Sequence, residues 1–319
     1  MAEPIQSPSE RDAAASWRPY IVMGIGVLAV STGAIFIRLA QEESAPSLVI
    51  AAARLWVAAL VLTPLVLRRY WHEVRAVSLT DLKWALAAGA FLGLHFATWV
   101  TSLEYTAVVN SVTLVSTNPL WVAVLAPILL GEKLSRWTML GLALALVGGV
   151  LVGLSPSNEK PPTRSDPLLG NGLALVGALT VALYFIIGRR LRARLSVVVY
   201  IWLVYGAAAI ILAGAVLIFG EQVTGLSTEA YLWMILIGLV PQLIGHSSFN
   251  YALGFLPAAY VSLVVLGEPI GSGLLAMIFL DEWPVLIQLV GATLILVGIG
   301  VASKEDRVRK VERVSTTEI

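Results

Sequence analysis

The chain has 319 residues, of which 58% are hydrophobic and only 13% charged. A soluble protein of this length carries roughly a quarter charged residues, so a soluble globular domain is excluded. The formal net charge of +1 says little beside how the charges are distributed, and the lack of cysteine excludes disulfides and thiolate metal sites.

Apolar blocks of about 20 residues recur along the chain, the length that crosses a hydrocarbon core about 30 Å thick. They are too long and too rich in Leu, Ala and Gly for the alternating strands of a barrel. Helices are therefore expected, because lipid offers no other open-ended way to satisfy backbone groups. The polar N-terminal stretch 1–17 has no basic n-region and no A-x-A cleavage site, so it reads as an N-terminal tail and not a signal peptide. Ten spans follow, near 20–40, 47–67, 82–103, 107–130, 137–155, 168–188, 197–219, 230–250, 256–279 and 285–302. The longest connection is the proline-rich linker SNEKPPTRSDP, and the chain ends in a polar tail over 303–319.

Seventeen of the 21 Lys and Arg fall on one side of this arrangement: both tails and the connections after the even-numbered spans. Only Arg38, Lys160 and Arg164 fall on the other, and Arg54 lies within the second span. The positive-inside rule then predicts a multi-pass protein of the cell membrane with both termini cytoplasmic.

The chain also repeats itself. At a shift of 150, VSTNPLWVAVLAPILLGEK from Val115 falls on VLGEPIGSGLLAMIFLDEW from Val265. Asn118-Pro119 meets Glu268-Pro269, Glu132 meets Glu282, Gly141 meets Gly291 and Gly148 meets Gly298, with no gap. The second spans align through APSLVIAAARLW and RLSVVVYIWLVY at a shift of 149. Each half holds five spans, an odd number, so the halves cross the membrane in opposite senses. Inverted repeats of this kind are a transporter signature, because the halves can exchange conformations and open alternately to each side.

Each half thus has a fourth helix of the form (N/E)-P-(L/I), then a Gly/Asp-Glu turn, then a Gly-rich fifth helix. The residues are Asn118-Pro119-Leu120 to Gly131-Glu132 and Gly141 to Gly149, and Glu268-Pro269-Ile270 to Asp281-Glu282 and Gly291 to Gly298. This pattern, with Arg54 early in the second helix, resembles the EamA-type transporters of the drug/metabolite transporter superfamily. The resemblance covers about residues 18–302, with repeat 1 over 18–155, the linker over 156–167 and repeat 2 over 168–302. It implies an all-α membrane protein with two inverted five-helix repeats around a central cavity. It further implies export of small metabolites: amino acids, nucleobases, drugs and similar compounds. Leu203 stands where Arg54 would recur in the second half, so the halves are chemically unequal.

Glu268 is the foremost candidate. A charge at the centre of a span costs about 2.5–3.5 kcal/mol on insertion scales, and such residues face a cavity or a partner. Pro269 beside it removes an intrahelical donor, as Pro119 does in the first half, and both are read as helix breaks. Glu268 is read either as a carrier of substrate or of a coupling proton, or as a protonated acid bonded to a neighbouring helix. Arg54 is read either as a grip on a substrate carboxylate or phosphate, or as a side chain that snorkels or pairs with Glu104 or Glu268. His95 and Trp99 lie four apart, as do His246 and Asn250, so each pair shares one helix face. Such faces suit a cavity for a small amphipathic molecule, or interhelical hydrogen bonds of about 0.6–2 kcal/mol each. Asn118 mirrors Glu268 and is expected in the same cavity. Tyr184 and Tyr205 are further cavity candidates, with Trp56, Trp121 and Tyr251 weaker ones. Gly89, Gly93, Gly149, Gly153, Gly291 and Gly298 are read as helix-packing positions, and Glu132 and Glu282 as caps or ion pairs at the gates.

No phosphate loop and no metal-binding spacing appears, so no cofactor and no metal are expected. The expected partners are a small-molecule substrate, the lipid bilayer and a coupling proton, with no nucleic acid. Monomer and homodimer are both compatible with the sequence. A facilitative exchanger or uniporter is the alternative to a coupled exporter. A membrane enzyme would need a clustered nucleophile and base, and a channel would favour symmetric pore rings; neither pattern appears.

Overall fold

The computed structural model describes residues 17–106, 111, 114–132, 134–153, 166–279 and 285–317. The chain is a ten-span helical membrane protein, and its described residues are built as follows. Span 1 is two helices, α1 (Arg18–Ser31) and α2 (Gly33–Glu42). Span 2 is α3 (Ser47–Leu65), a π-helical turn at Val66–Tyr70, and α4 (Trp71–Ala76). Span 3 is α5 (Leu79–Tyr105); α6 (Asn118–Leu130) belongs to span 4, and α7 (Arg136–Gly153) is span 5. In the second half, α8 (Pro167–Leu191) and α9 (Val197–Phe219) form spans 6 and 7. Span 8 is α10 (Thr228–Ile237), a π-helical segment at Gly238–His246, and α11 (Ser247–Ala252). Span 9 is α12 (Ala258–Val265) and α13 (Glu268–Phe279), and α14 (Leu286–Thr317) is span 10. Six spans (1, 2, 3, 6, 7 and 8) are long and apolar enough to cross a bilayer as single described stretches, and four more are shorter apolar helices.

Local sequence explains the ends. Ser78, Asp166, Ser196 and Ser227 each accept a hydrogen bond from a backbone N–H of the first turn they precede, satisfying one of the donors a helix start leaves unpaired. Gly131 (φ 68°) and Gly220 (φ 67°) close α6 and α9 in the left-handed region that a residue with a Cβ avoids. Pro64 and Pro241, which lack an N–H, lie at or beside the two π-helical segments. One difference from expectation is at the C-terminus: α14 stays helical to Thr317, beyond the expected span end at 302.

Packing obeys the internal repeat. Span 1 packs on spans 8 and 9 as span 6 packs on spans 3 and 4, and span 2 meets span 8 as span 7 meets span 3. Spans 2 and 7, 4 and 9, and 5 and 10 pair with their own counterparts. Exchanging the halves therefore leaves this set of contacts unchanged, the property of a pseudo-two-fold axis. Spans 5 and 10 show it residue by residue. A Cβ on Gly298 would lie 2.5 Å from the Gly141 carbonyl oxygen, and one on Gly148 would lie 2.5 Å from that of Gly291. Only glycine admits backbones this close. Gly89 is likewise filled, by Ala207 and the Val204 carbonyl, whereas Gly149 faces open space; the close contact belongs to Gly148.

Candidate functional site

The helix breaks come first, because they place the polar groups. Pro119 and Pro269 are the second residues of α6 and α13. In the first turn of a helix a missing N–H costs nothing, so these prolines start a new helix and do not kink an old one. In span 9, Leu266 and Gly267 make tight three-residue turns before α13. The Glu268 carbonyl accepts from Ser31 Oγ at 3.2 Å, and Ser272 Oγ donates to the Ser31 carbonyl at 3.0 Å. The break in span 9 is thus met by the break in span 1. In span 4 the equivalent Asn118 meets its own break, its Nδ2 donating to the Val115 carbonyl at 3.3 Å.

Arg54, His95, Trp99, Asn118, His246 and Glu268 all line one cavity between the halves. Its apolar wall is Val30, Val181, Phe185, Phe249 and Val265. Arg54 is only 3% exposed and turns inward, so it does not snorkel. Its Nε donates to Gln242 Oε1 at 2.6 Å, and its guanidinium carbon stands 4.0 Å from the centre of the Phe96 ring. A desolvated cation over a ring gains about 2 kcal/mol. Among the described residues the alternative of an ion pair of Arg54 with Glu104 or Glu268 is not formed either.

His95 Nδ1 lies 2.9 Å from the Gly177 carbonyl. A carbonyl only accepts, so Nδ1 carries the proton and Nε2 of the neutral ring is an acceptor. The Trp99 indole lies nearly parallel to the imidazole, with centroids 5.9 Å apart. Phe96 and His246, which correspond at the 150-residue shift, meet edge-on at 5.3 Å and so mark the pseudo-axis. Trp99 Nε1, Asn118 Oδ1 and His246 Nδ1 are buried and have no hydrogen-bond partner among the described residues. Buried polar atoms are nearly always paired, so three such atoms around one cavity suit it to a polar guest.

The other predicted residues lie elsewhere. Asn250, Tyr184 and Tyr205 are fully buried beside the cavity and bond to one another. Asn250 Nδ2, with two hydrogens to give, stands within hydrogen-bonding distance of Tyr184 Oη at 2.5 Å, the His246 carbonyl at 2.9 Å and Tyr205 Oη at 3.2 Å. Trp56 and Trp121 are partly exposed, and Tyr251 lies tilted against Phe255 with ring centroids 4.9 Å apart. Glu132 pairs with Arg189 at 2.9 Å and accepts from the Ala258 N–H at 3.3 Å. Arg189 also donates to the Leu253 carbonyl at 2.9 Å. The turn after span 4 is thereby tied to the second half on the side that carries the basic connections. Glu282 lies outside the described residues. Gln242 was not anticipated, although its spacing gave a signal: residues 242, 246 and 250 repeat every four along one face of span 8.

An inverted pair of five-helix units enclosing a polar cavity defines a membrane transporter. The chain belongs to the EamA-like transporter family, whose profile it matches over residues 17–154 and 168–304. It is 27% identical over 222 residues to an uncharacterized transporter of Archaeoglobus fulgidus, covering 69% of this chain and 76% of that one. It is 28% identical over 222 residues to the uncharacterized transporter YyaM of Bacillus subtilis, covering 67% and 70% of the two chains. A solved crystal structure superposes with a TM-score of 0.72 at 19% identity, over 91% of this chain and 99% of that one; this likeness bears on the fold.

Proposed function

We propose that this chain is a secondary transporter that exports small polar or amphipathic metabolites from the cell by alternating access. Both termini are cytoplasmic in this reading, and the membrane is the cell's own. Arg54 receives an anionic group of the substrate, while Glu268 exchanges a proton for it. Amino acids, nucleobases and drug-like compounds are the expected cargo classes. Glu132 and Arg189 act as a cytoplasmic gate that parts when the cavity opens inward.

The observation that carries the reading is a cation and an acid on one cavity, not bonded to each other and flanked by three polar atoms without a partner among the described residues. Intramembrane ionisable groups are functional by default, and the swap-symmetric packing supplies the two-state frame that alternation needs. The naming of the relatives as transporters supports carriage over catalysis.

The test compares metabolites in medium and cells for wild type and Glu268→Gln at matched membrane levels. A compound that leaves faster only with wild type supports the reading and names the cargo. Export that is equal in both, with unchanged pH dependence, removes Glu268 from the mechanism. A new product in place of a relocated one turns the reading towards an enzyme.

A further inference from the structure

We infer that Gln242 is the positioning residue of the anion site: it sets the Arg54 guanidinium in place and keeps its charge available. This rests on the reading of Arg54 given above and names a part of it that the sequence left out.

Gln242 is fully buried, in the π-helical segment of span 8 directly after Pro241. One turn earlier, Gly238 brings that segment against α3. A Cβ there would lie 2.5 Å from the Val57 Cβ and 3.1 Å from the Arg54 carbonyl oxygen. Close approach at Gly238 thus sets Gln242 opposite Arg54. The hydrogen bond between them is the only one that the guanidinium makes among the described residues. Because an Arg N–H can only donate, Gln242 must present its oxygen, which fixes the amide orientation. With Nε tied back and Phe96 against one face, the two Nη groups have no protein acceptor among the described residues, and Arg54 lines the cavity. That Nη pair is the fork that matches a carboxylate with two parallel bonds.

The repeat shows that the fold does not demand this pair. Gln242 corresponds to Leu92 at the 150-residue shift, and Arg54 corresponds to Leu203 at 149. Spans 3 and 7 pack together as spans 8 and 2 do, with leucine at both of the related positions. Both polar members appear together in one copy and are absent together from the other. A neutral acceptor also matters in itself. A glutamate at this position would hold Arg54 as well, but would cancel its charge inside the site.

The test uses the purified full-length chain, with benzoate and benzamide as probes. They share a flat shape and an apolar body for the Phe185 and Phe249 wall, and differ in charge. Binding is read by thermal shift and titration for wild type, Gln242→Met, Gln242→Glu and Arg54→Met. Wild type should prefer benzoate. Gln242→Met should weaken benzoate about tenfold, the effect of losing one hydrogen bond to a charged group, and leave benzamide unchanged. Gln242→Glu keeps the hydrogen bond and hence the fold, yet should lose the preference for benzoate as fully as Arg54→Met does. Equal binding of the two probes by wild type, or an intact benzoate preference in Gln242→Glu, overturns the inference. The transport reading fails separately, through absence of export by a wild type that still prefers benzoate.

Discussion

Trp99 shows what a single buried atom can decide. Its indole ring is held flat against His95, while its Nε1–H has no acceptor among the described residues. An unpaired buried donor costs about 1–3 kcal/mol, a cost removed when cargo supplies an acceptor. Trp99→Phe keeps an aromatic ring there and deletes the donor. We expect the empty protein to change stability by less than about 1 kcal/mol, because relief of the donor offsets the lost ring area. Cargo affinity should fall about tenfold. Paired melting curves with and without cargo would check this; a large loss of stability with unchanged affinity would make Trp99 a packing residue. At this scale the sequence was readable in part. Glu268, Arg54, His95, Trp99, Asn118 and His246 stood out as polar groups in apolar runs, and they share the cavity. Asn250 stood out too, and Tyr184 and Tyr205 more weakly, but their hydrogen bonds run to one another beside it. Helical spacing gives the face of a residue, and only packing tells whether that face meets space or another side chain.

At the level of elements, the glycine contacts of α7 and α14 carry the clearest expectation. Gly148→Val would drive a branched side chain against the Gly291 carbonyl and Ile295. Overpacking of this kind costs about 1–3 kcal/mol, so the purified protein should melt several degrees lower. Gly149→Val, with open space beside it, should leave the melting temperature nearly unchanged. The reverse order would show that α7 faces the other way. Most elements were legible, because each span is a long apolar block bounded by polar, Gly or Pro residues. The break of span 1 at Thr32 was not, since VSTGAIF has no proline and its short Ser-Thr-Gly step lies inside an otherwise apolar span. Its cause is tertiary: the gap accommodates Ser31 against the broken backbone of span 9. The π-helical segments were missed for a related reason, as Pro64 and Pro241 mark a disturbance without saying how the ladder will close.

For the molecule as a whole, the repeat is visible in the sequence, and the exchange of contacts between halves follows from it. The proposed cytoplasmic gate has one side described, Glu132 with Arg189. The pseudo-axis also explains why chemical inequality is tolerated. Packing needs similar shapes at related positions, which leucine provides as well as arginine or glutamine, so one copy is free to acquire polar groups.

The pairing of spans 2 with 7, 4 with 9 and 5 with 10 has a consequence for assembly. Each of these interfaces joins one half to its own counterpart, so each is nearly self-complementary. A gene cut within 154–165 should therefore yield two fragments that find each other in the membrane without a covalent link. Co-purification through a tag on one fragment, with export restored, would confirm it. Expressed alone, either fragment should dimerise with an oppositely inserted copy of itself, re-creating a two-fold that is only approximate in the intact chain. Fragments that stay monomeric and inactive together would mean that the linker, and not the matched surfaces, holds the halves in register.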